Sequence, residues 1–420
     1  SAASESMAAI IDSYSKANFL DKNGNKDTTS SVDKDQVLKA VTDKYKKQNK
    51  IAHKMFDSVV AALKKKKYEP KGARFRATKW DTDLMPFHKL RNKAMSRPGY
   101  DHKRWSRRKR KIRLKSWRKW ANNLIVQSVE AVKNHDFAKE SQILKALGRK
   151  HSPRHAQPST HPRTNNVLPS TKAKLEQWAK HCEAQLAGPG YADLEPLPDR
   201  SDEILTDDTL ERAASRAKLF KDAGRDQTAL ESFLKVPSMK AQLFSLVRDV
   251  WRTEVAPTEM LEIAQVMLWK GVKRKEDRSG YRPISITNAA YKLLALVLLD
   301  RLERETRGYL HESQAGARKG MTCLHPLTVI RLTMERLLKT DVKLALLLID
   351  FKQAFNAPTP KSMDDSMKQA KASPKVRAMI RMIDENVSYY TRMQGQGKTQ
   401  YSREFKATKG CPMGCPTSPW

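Results

Sequence analysis

Long apolar runs are missing from this sequence of 420 residues. No window approaches the roughly 20 consecutive apolar residues that a membrane-spanning helix needs, so we expect no membrane partner. The first 19 residues, SAASESMAAIIDSYSKANF, lack a charged segment followed by a long apolar run. They are therefore not expected to be a secretory signal.

Cysteine is also scarce, with Cys182, Cys323, Cys411 and Cys415 the four in the chain. So few thiols in so long a chain do not form a disulfide framework, which indicates an intracellular reducing compartment. The sequence leaves open whether this is the nucleus, the cytoplasm or the mitochondrion. Cys411 and Cys415 lie in GCPMGCP with no matching pair of His or Cys nearby, so we interpret them as turn residues rather than zinc ligands.

Acidic residues are outnumbered, because 46 Asp and Glu face 81 Lys and Arg and leave a formal net charge of +35. Such an excess repels itself unless a polyanion neutralises it, and nucleic acid is the usual one. Charge that only maintains solubility is one alternative. An anionic membrane surface is another, but it requires a basic helix with a strong apolar face, which the basic stretch does not have cleanly. We expect RNA, structured or ribosomal, or an RNA/DNA duplex as the partner.

Composition divides the chain into five segments. Residues 1–50 are polar, 51–148 predict helices with dense positive charge, and 149–170 form a linker rich in Pro, Ser, Thr and His. Residues 171–256 have ordinary helical periodicity, and strand patterns join the helices in 257–420. We expect a compact domain to begin near residue 170, with the fold class α+β, preceded by a basic helical region.

The densest positive charge lies between Lys103 and Lys119, where eleven of seventeen residues are Lys or Arg. Cations that bind phosphates, beside tryptophans that stack on bases, are typical of RNA or single-strand binding. The alternative is a solvated helix face, which would leave the tryptophans in water. The candidate nucleic-acid-binding residues are Lys103, Arg104, Trp105, Arg107, Arg108, Lys109, Arg110, Lys111, Arg113, Lys115, Trp117, Arg118 and Lys119.

Residues 257–420 predict a mixture of strands and helices. Residues 262–288 predict two strands joined by a basic turn, with the second strand entered through Arg282–Pro283. Helices are expected over 291–306 and 324–339, then two more helices and a hairpin toward the C-terminus. The run KLALLLID, residues 343–350, predicts a buried strand that ends at Asp350.

Four sequence blocks follow one another in this segment: YRPISITNAAYKLL, ESQAGARKG, ALLLIDFKQAFN and KGCPMGCPTSP. Their order and spacing resemble the fingers and palm of reverse transcriptases, most closely those of LINE-type non-LTR retrotransposons. The resemblance covers roughly residues 200–420. It implies a partial reverse-transcriptase fingers and palm domain.

The resemblance also implies roles for individual residues. Asp350 matches the family's first catalytic aspartate, which binds Mg²⁺, and hard carboxylate oxygens suit that ion. Phe355 matches the residue that packs under the nucleotide sugar, and Arg282 matches the arginine near the triphosphate, where its fork geometry is useful. The residues that match template and primer contacts are Gln314, Gly316, Gly414, Pro416 and Ser418.

Several positions depart from the family pattern. Asn356 replaces the second acidic residue of its block, Ala317 replaces a phenylalanine, and Met413 replaces a glutamine. The aromatic-x-Asp-Asp hairpin, which supplies the other metal carboxylates in the family, does not follow within the 420 residues. We do not expect the pair Asp364–Asp365 to replace it, because it lies in a polar helical stretch.

Two functions follow from this pattern. The first is a truncated, retroelement-derived RNA-binding protein, inactive as this chain and part of a ribonucleoprotein such as a ribosome, with protein neighbours there. The second is the N-terminal part of an active RNA-directed DNA polymerase, with Mg²⁺ as the cofactor once the catalytic site is completed. The first is slightly favoured.

Overall fold

A computed structural model provides the structure. Most of what it describes belongs to one compact unit, formed by residues 1–58 together with 154–420, and a second unit covers residues 59–153. The described residues are 2–19, 26–27, 32–65, 122–123, 126–127, 130, 168, 170–201, 204–219, 221–271, 273–274, 276–316, 318, 320–340, 343–395 and 398–418. The stretch 103–119, with its thirteen candidate nucleic-acid contacts, and most of the predicted linker lie outside these residues.

Ten helices and four strands form the described part of the chain. The helices are α1 Ala2–Asn18, α2 Lys34–Lys65, α3 Thr171–Gln185, α4 Asp207–Ser215, α5 Leu230–Leu234, α6 Pro237–Thr253, α7 Ala289–Glu305, α8 Leu324–Lys339, α9 Pro360–Gln369 and α10 Pro374–Asn386. The strands are β1 Glu262–Trp269, β2 Tyr281–Thr287, β3 Ser388–Gly395 and β4 Lys398–Tyr401.

The four strands form one sheet in the order β2-β1-β3-β4. β1 pairs antiparallel with β2, from Ile263 opposite Thr287 to Trp269 opposite Tyr281, and parallel with β3. β3 and β4 form the predicted antiparallel hairpin. This mixture of helices and a small mixed sheet confirms the α+β fold class.

The core lies where α6 and α7 pack beside the sheet. Trp251 of α6 and Tyr291 of α7 are fully buried, and α7 is apolar around most of its circumference. Side-chain oxygens of Ser170, Thr206 and Ser373 cap the helices that follow them. These caps satisfy backbone donors that would otherwise have no partner, which favours the start of α3, α4 and α10 at these residues.

The N-terminal helices pack against this core, contrary to the prediction that a compact domain begins near residue 170. Val37, Val41 and Tyr45 of α2 are buried in the main apolar cluster. Gln48 donates from Nε2 to the carbonyl oxygen of Gln242 at 2.8 Å. The predicted boundary between residues 50 and 51 falls inside α2. The apolar stripe of this helix is narrow, and the many polar residues around it in the sequence make it hard to recognise.

The run KLALLLID does not form a strand, so that prediction was wrong. Residues 343–350 have no regular secondary structure, and Leu347 and Leu348 are 84% and 89% exposed. An apolar run becomes a buried strand only where neighbouring strands satisfy its backbone and both of its faces are covered. No strand of the described residues pairs with 343–350. Among the described residues, no helix combines the length and the apolar character needed to cross a membrane.

Candidate functional site

The C-terminal loop, residues 409–418, holds three of the sequence blocks together. It runs along the edge of β2, where the Ser285 amide donates to the Met413 carbonyl at 2.7 Å. The amides of Gly410 and Cys411 donate to the carbonyls of Pro358 and Phe355, each at 2.7 Å. Blocks that are far apart in the sequence therefore meet through backbone hydrogen bonds.

Two glycines of the C-terminal loop permit this close approach. Gly410 and Gly414 have φ values of +82° and +113°, a region that other residues rarely adopt. A Cβ at Gly410 would lie 2.9 Å from the Cα of Asn356, and one at Gly414 would lie 2.9 Å from the Ser285 carbonyl oxygen. Glycine is needed at both places for backbone packing, whatever the ligand.

The turn that follows Asp350 is fixed by its own hydrogen bonds. Gln353 has φ +56°, and its carbonyl accepts from the Asn356 amide at 2.8 Å. The Asn356 side chain is buried and donates from Nδ2 to Oε1 of Gln185 in α3 at 3.3 Å. The residue at the family's second acidic position thus anchors the turn to a helix.

A cavity of about 360 Å³ opens between this turn, the C-terminal loop and the loop before α8. We call it the motif cavity. It is lined by Gln314, Gly316, Ala354, Phe355, Pro358, Cys411 and Ser418. The structure therefore brings together four predicted site residues from three separate blocks: Gln314, Gly316, Phe355 and Ser418.

The side chains of the motif cavity offer stacking and hydrogen bonding. Phe355 is 38% exposed and presents a ring. Gln314 is exposed and offers an amide, which can donate and accept. The Ser418 hydroxyl donates to the Pro412 carbonyl at 2.8 Å, which stiffens the loop. Gly414 and Pro416 belong to the same loop but do not line the cavity.

Sequence reasoning missed Ala354, Pro358 and Cys411 as lining residues. Ala354 and Cys411 lie within quoted blocks, and Pro358 lies two residues after one, so closeness in the sequence was the available signal. Burial, reinforced by the nearby Asp384 and Cys415, raises the pKa of the Cys411 thiol to about 12. This thiol stays protonated at neutral pH and donates to Sδ of Met363 at 3.2 Å.

Asp350 and Arg282 are exposed, and neither lines the motif cavity. Arg282 projects from the edge strand β2, where its Cα partner is Leu268. Among the described residues, no group of three or more His, Cys, Asp or Glu could hold a metal ion. Asp350 is a single carboxylate, so these residues do not fit the pair of magnesium ions that the resemblance implies.

Asp364, the first residue of the acidic pair Asp364–Asp365, has a structural role. Asp364 is buried on α9 and accepts hydrogen bonds from Arg377 and Arg381 of α10. Asp365 is half-exposed and lies 3.6 Å from the Lys361 ammonium. Asp364 therefore ties two helices together, with both of its oxygens already paired.

Comparison with known families agrees with this geometry. The model of the family described as reverse transcriptase (RNA-dependent DNA polymerase) matches residues 273–420. This match covers about a third of the chain and supports the resemblance to reverse transcriptases over these residues. A domain of that family implies interaction with RNA or DNA. A search of curated proteins found no match to this chain.

Proposed function

We propose that this chain is a retroelement-derived RNA-binding protein whose reverse transcriptase domain contacts nucleic acid at the motif cavity. The observation that carries the proposal is the convergence of Gln314, Gly316, Phe355 and Ser418 on that cavity. An exposed ring beside an amide and a hydroxyl suits an unpaired base, which can stack and also form hydrogen bonds.

The net charge of +35 supports a polyanionic partner. We propose that the stretch Lys103–Lys119 supplies most of the affinity and that the motif cavity supplies local contacts. We also propose structured RNA in a ribonucleoprotein such as a ribosome as the setting. The four blocks in their order support a LINE-type origin.

The contribution of the basic stretch can be measured by RNA binding across a salt series. A region that makes roughly five phosphate contacts gives a slope of about −3.5 for log affinity against log salt on single strands. Replacing Arg107, Arg108, Lys109, Arg110 and Lys111 by Ala should weaken binding strongly and flatten the slope. Unchanged binding across the series would mean that this stretch is a solvated face.

The contribution of the motif cavity can be measured with Phe355→Ala, which removes the ring. We expect a loss of roughly 1–3 kcal/mol in RNA affinity with little change in salt slope, because stacking releases few counterions. Phe56→Ala is the matched control, since Phe56 is an aromatic on α2 with 51% exposure and does not line the cavity. Equal affinities for the two variants would contradict the placement of the site.

RNA-directed DNA polymerase is the second candidate function, favoured by Asp350 and Phe355 at family positions. A polymerase site needs further metal carboxylates beside Asp350. We expect the purified 420-residue chain, supplied with primer-template, Mg²⁺ and dNTPs, not to extend the primer. Extension that disappears in Asp350→Ala would favour the polymerase and overturn the assignment as a binding protein.

A further inference from the structure

An unusually apolar stretch of the chain is exposed. Leu346, Leu347, Leu348, Ile349 and Phe351 are between 55% and 89% exposed. We call residues 344–351 the apolar segment. Exposed apolar residues are ordinary when scattered, but a contiguous group of this kind marks a surface that becomes covered.

The helix before this segment has an uncovered apolar stripe as well. Leu327, Ile330, Met334 and Leu338 of α8 lie three or four residues apart, which places them on one face of the helix. All four are exposed, and α8 has no buried residue. Helix α8 is therefore free to follow the apolar segment if that segment moves.

An apolar groove of about 460 Å³ lies between α7, α9 and α10. Its walls include Leu298 and Leu302 of α7, Met363 and Met367 of α9, and Ile380 and Ile383 of α10. A volume of this size is within the range that proteins use for sizeable apolar ligands. The groove also shares Pro358, Cys411 and Ser418 with the motif cavity.

The apolar segment and the groove are close along the chain. Pro358 lies nine positions after Ile349, and the turn from Gln353 onward is held by backbone hydrogen bonds. Ile349 can therefore lie up to about 13 Å from Gln353, the length of four extended residues. The anchor between them is firm, because Asn356 is buried and hydrogen-bonded to α3. The backbone turns at Gln353, which has φ +56°.

We infer that the apolar segment is a strap that docks into the groove, with the apolar stripe of α8 covering its outer face. An extended segment presents alternate side chains to opposite faces, so Leu346 and Leu348 fill one side while Leu347 and Ile349 face the other. Both faces are apolar, which matches an element covered on both sides. Docking fixes Pro358, Cys411 and Ser418 and so sets the shape of the motif cavity.

Hydrogen exchange on the full chain tests the docking. We expect the amides of residues 344–351 to exchange at least tenfold more slowly in the parent than in the double variant Leu347→Asp/Ile349→Asp. Both side chains are exposed in the undocked form, so the aspartates remove docking without disturbing the core. Ile204→Asp is the matched control, because Ile204 is an apolar residue of 58% exposure that does not line the groove. In this variant the amides of residues 344–351 should exchange at the rate of the parent.

Exchange of the parent segment at the rate of an unstructured peptide would overturn the inference. Protection that increases with protein concentration would also overturn it, because the partner would then be a second copy. A benzophenone attached to the thiol of Leu348→Cys, in a Cys323→Ser background, identifies the occupant directly. Intramolecular crosslinks to α7, α9 or α10 are expected, and the same label on Ile204→Cys should give none. Crosslinks between two chains, or to other elements, would refute the strap.

Discussion

Replacing Asp364 by Ala should destabilise the compact unit far more than replacing its neighbour Asp365. The Asp364 side chain is 6% exposed, and its partners Arg377 and Arg381 are 8% and 13% exposed. Arg377 donates from Nε and Nη2 at 3.1 and 2.6 Å, and Arg381 donates from the same atoms at 3.2 and 2.7 Å. Alanine would leave two guanidinium groups largely buried without this carboxylate.

The expected loss of stability follows from the burial of Asp364 and its two arginine partners. Removing one partner of a buried ion pair costs about 3–5 kcal/mol, because the remaining charge is left uncompensated. Asp365 forms only an exposed pair with Lys361, so Asp365→Ala should cost less than about 1 kcal/mol. At about 2 °C per kcal/mol for a large unit, the Asp364 variant should unfold about 6–10 °C below the parent.

The stabilisation by Asp364 also has a defined pH dependence. Burial alone would raise the pKa of this carboxyl, but hydrogen bonds from Arg377 and Arg381 outweigh it and hold the pKa below the ordinary value of 3.8. The contribution is therefore present above the unfolded-state pKa and is lost as pH falls through the lower folded-state pKa. Thermal unfolding followed by circular dichroism at neutral and at acidic pH measures both effects. Equal midpoints for the Asp364 and Asp365 variants at neutral pH would refute the reasoning.

Further predictions concern the C-terminal loop and α10. Gly410→Ala should lower the unfolding midpoint more than Gly190→Ala, since both residues have positive φ but only Gly410 has backbone atoms 2.9 Å from an added Cβ. Gly190→Ala, the control, should reduce the stability by about 1–2 kcal/mol. Equal losses of stability in the two variants would mean that the C-terminal loop relaxes freely. Burial, reinforced by Glu385, raises the pKa of Asp384 to about 7. Its contribution to stability should decline as pH rises from about 4 to 7 and then level off, because the folded state binds the extra proton. Asp384→Asn should remove this decline in urea unfolding, and a pH profile identical to the parent's would contradict the shifted pKa.

Local patterns predicted the elements that rest on local physics. The hairpin of β1 and β2 follows from two apolar runs around a basic turn. Asp207 and Asp208 lie in the first turn of α4, where carboxylates are favoured by the helix dipole. Periodicity also placed α8 and the two helices after residue 359. Helix caps and strand alternation depend on residues that are close in the sequence, so short sequence windows are enough to predict them.

Contacts between residues far apart in the sequence determine the features that local patterns did not predict. The run before Asp350 has the composition of a buried strand, but composition does not state whether a neighbouring strand pairs with it. Conversely, α2 appears polar because only a narrow stripe, including Val37 and Val41, enters the core. Three of the four blocks contain the predicted residues that line the motif cavity, whereas the positions of Arg282 and Asp350 outside its lining depend on packing that no block encodes.

The packing of α2 has a consequence for synthesis of the chain. Tyr45 donates to Asp226, and Gln48 donates to Gln242, so its contacts span 181 and 194 residues. At about 5–20 residues per second, α2 is made roughly 10–40 s before these partners. During that interval its apolar stripe faces the solvent. The basic stretch, residues 103–119, is synthesised within the same interval, so the nucleic-acid contact that we propose for it can form before α2 is buried.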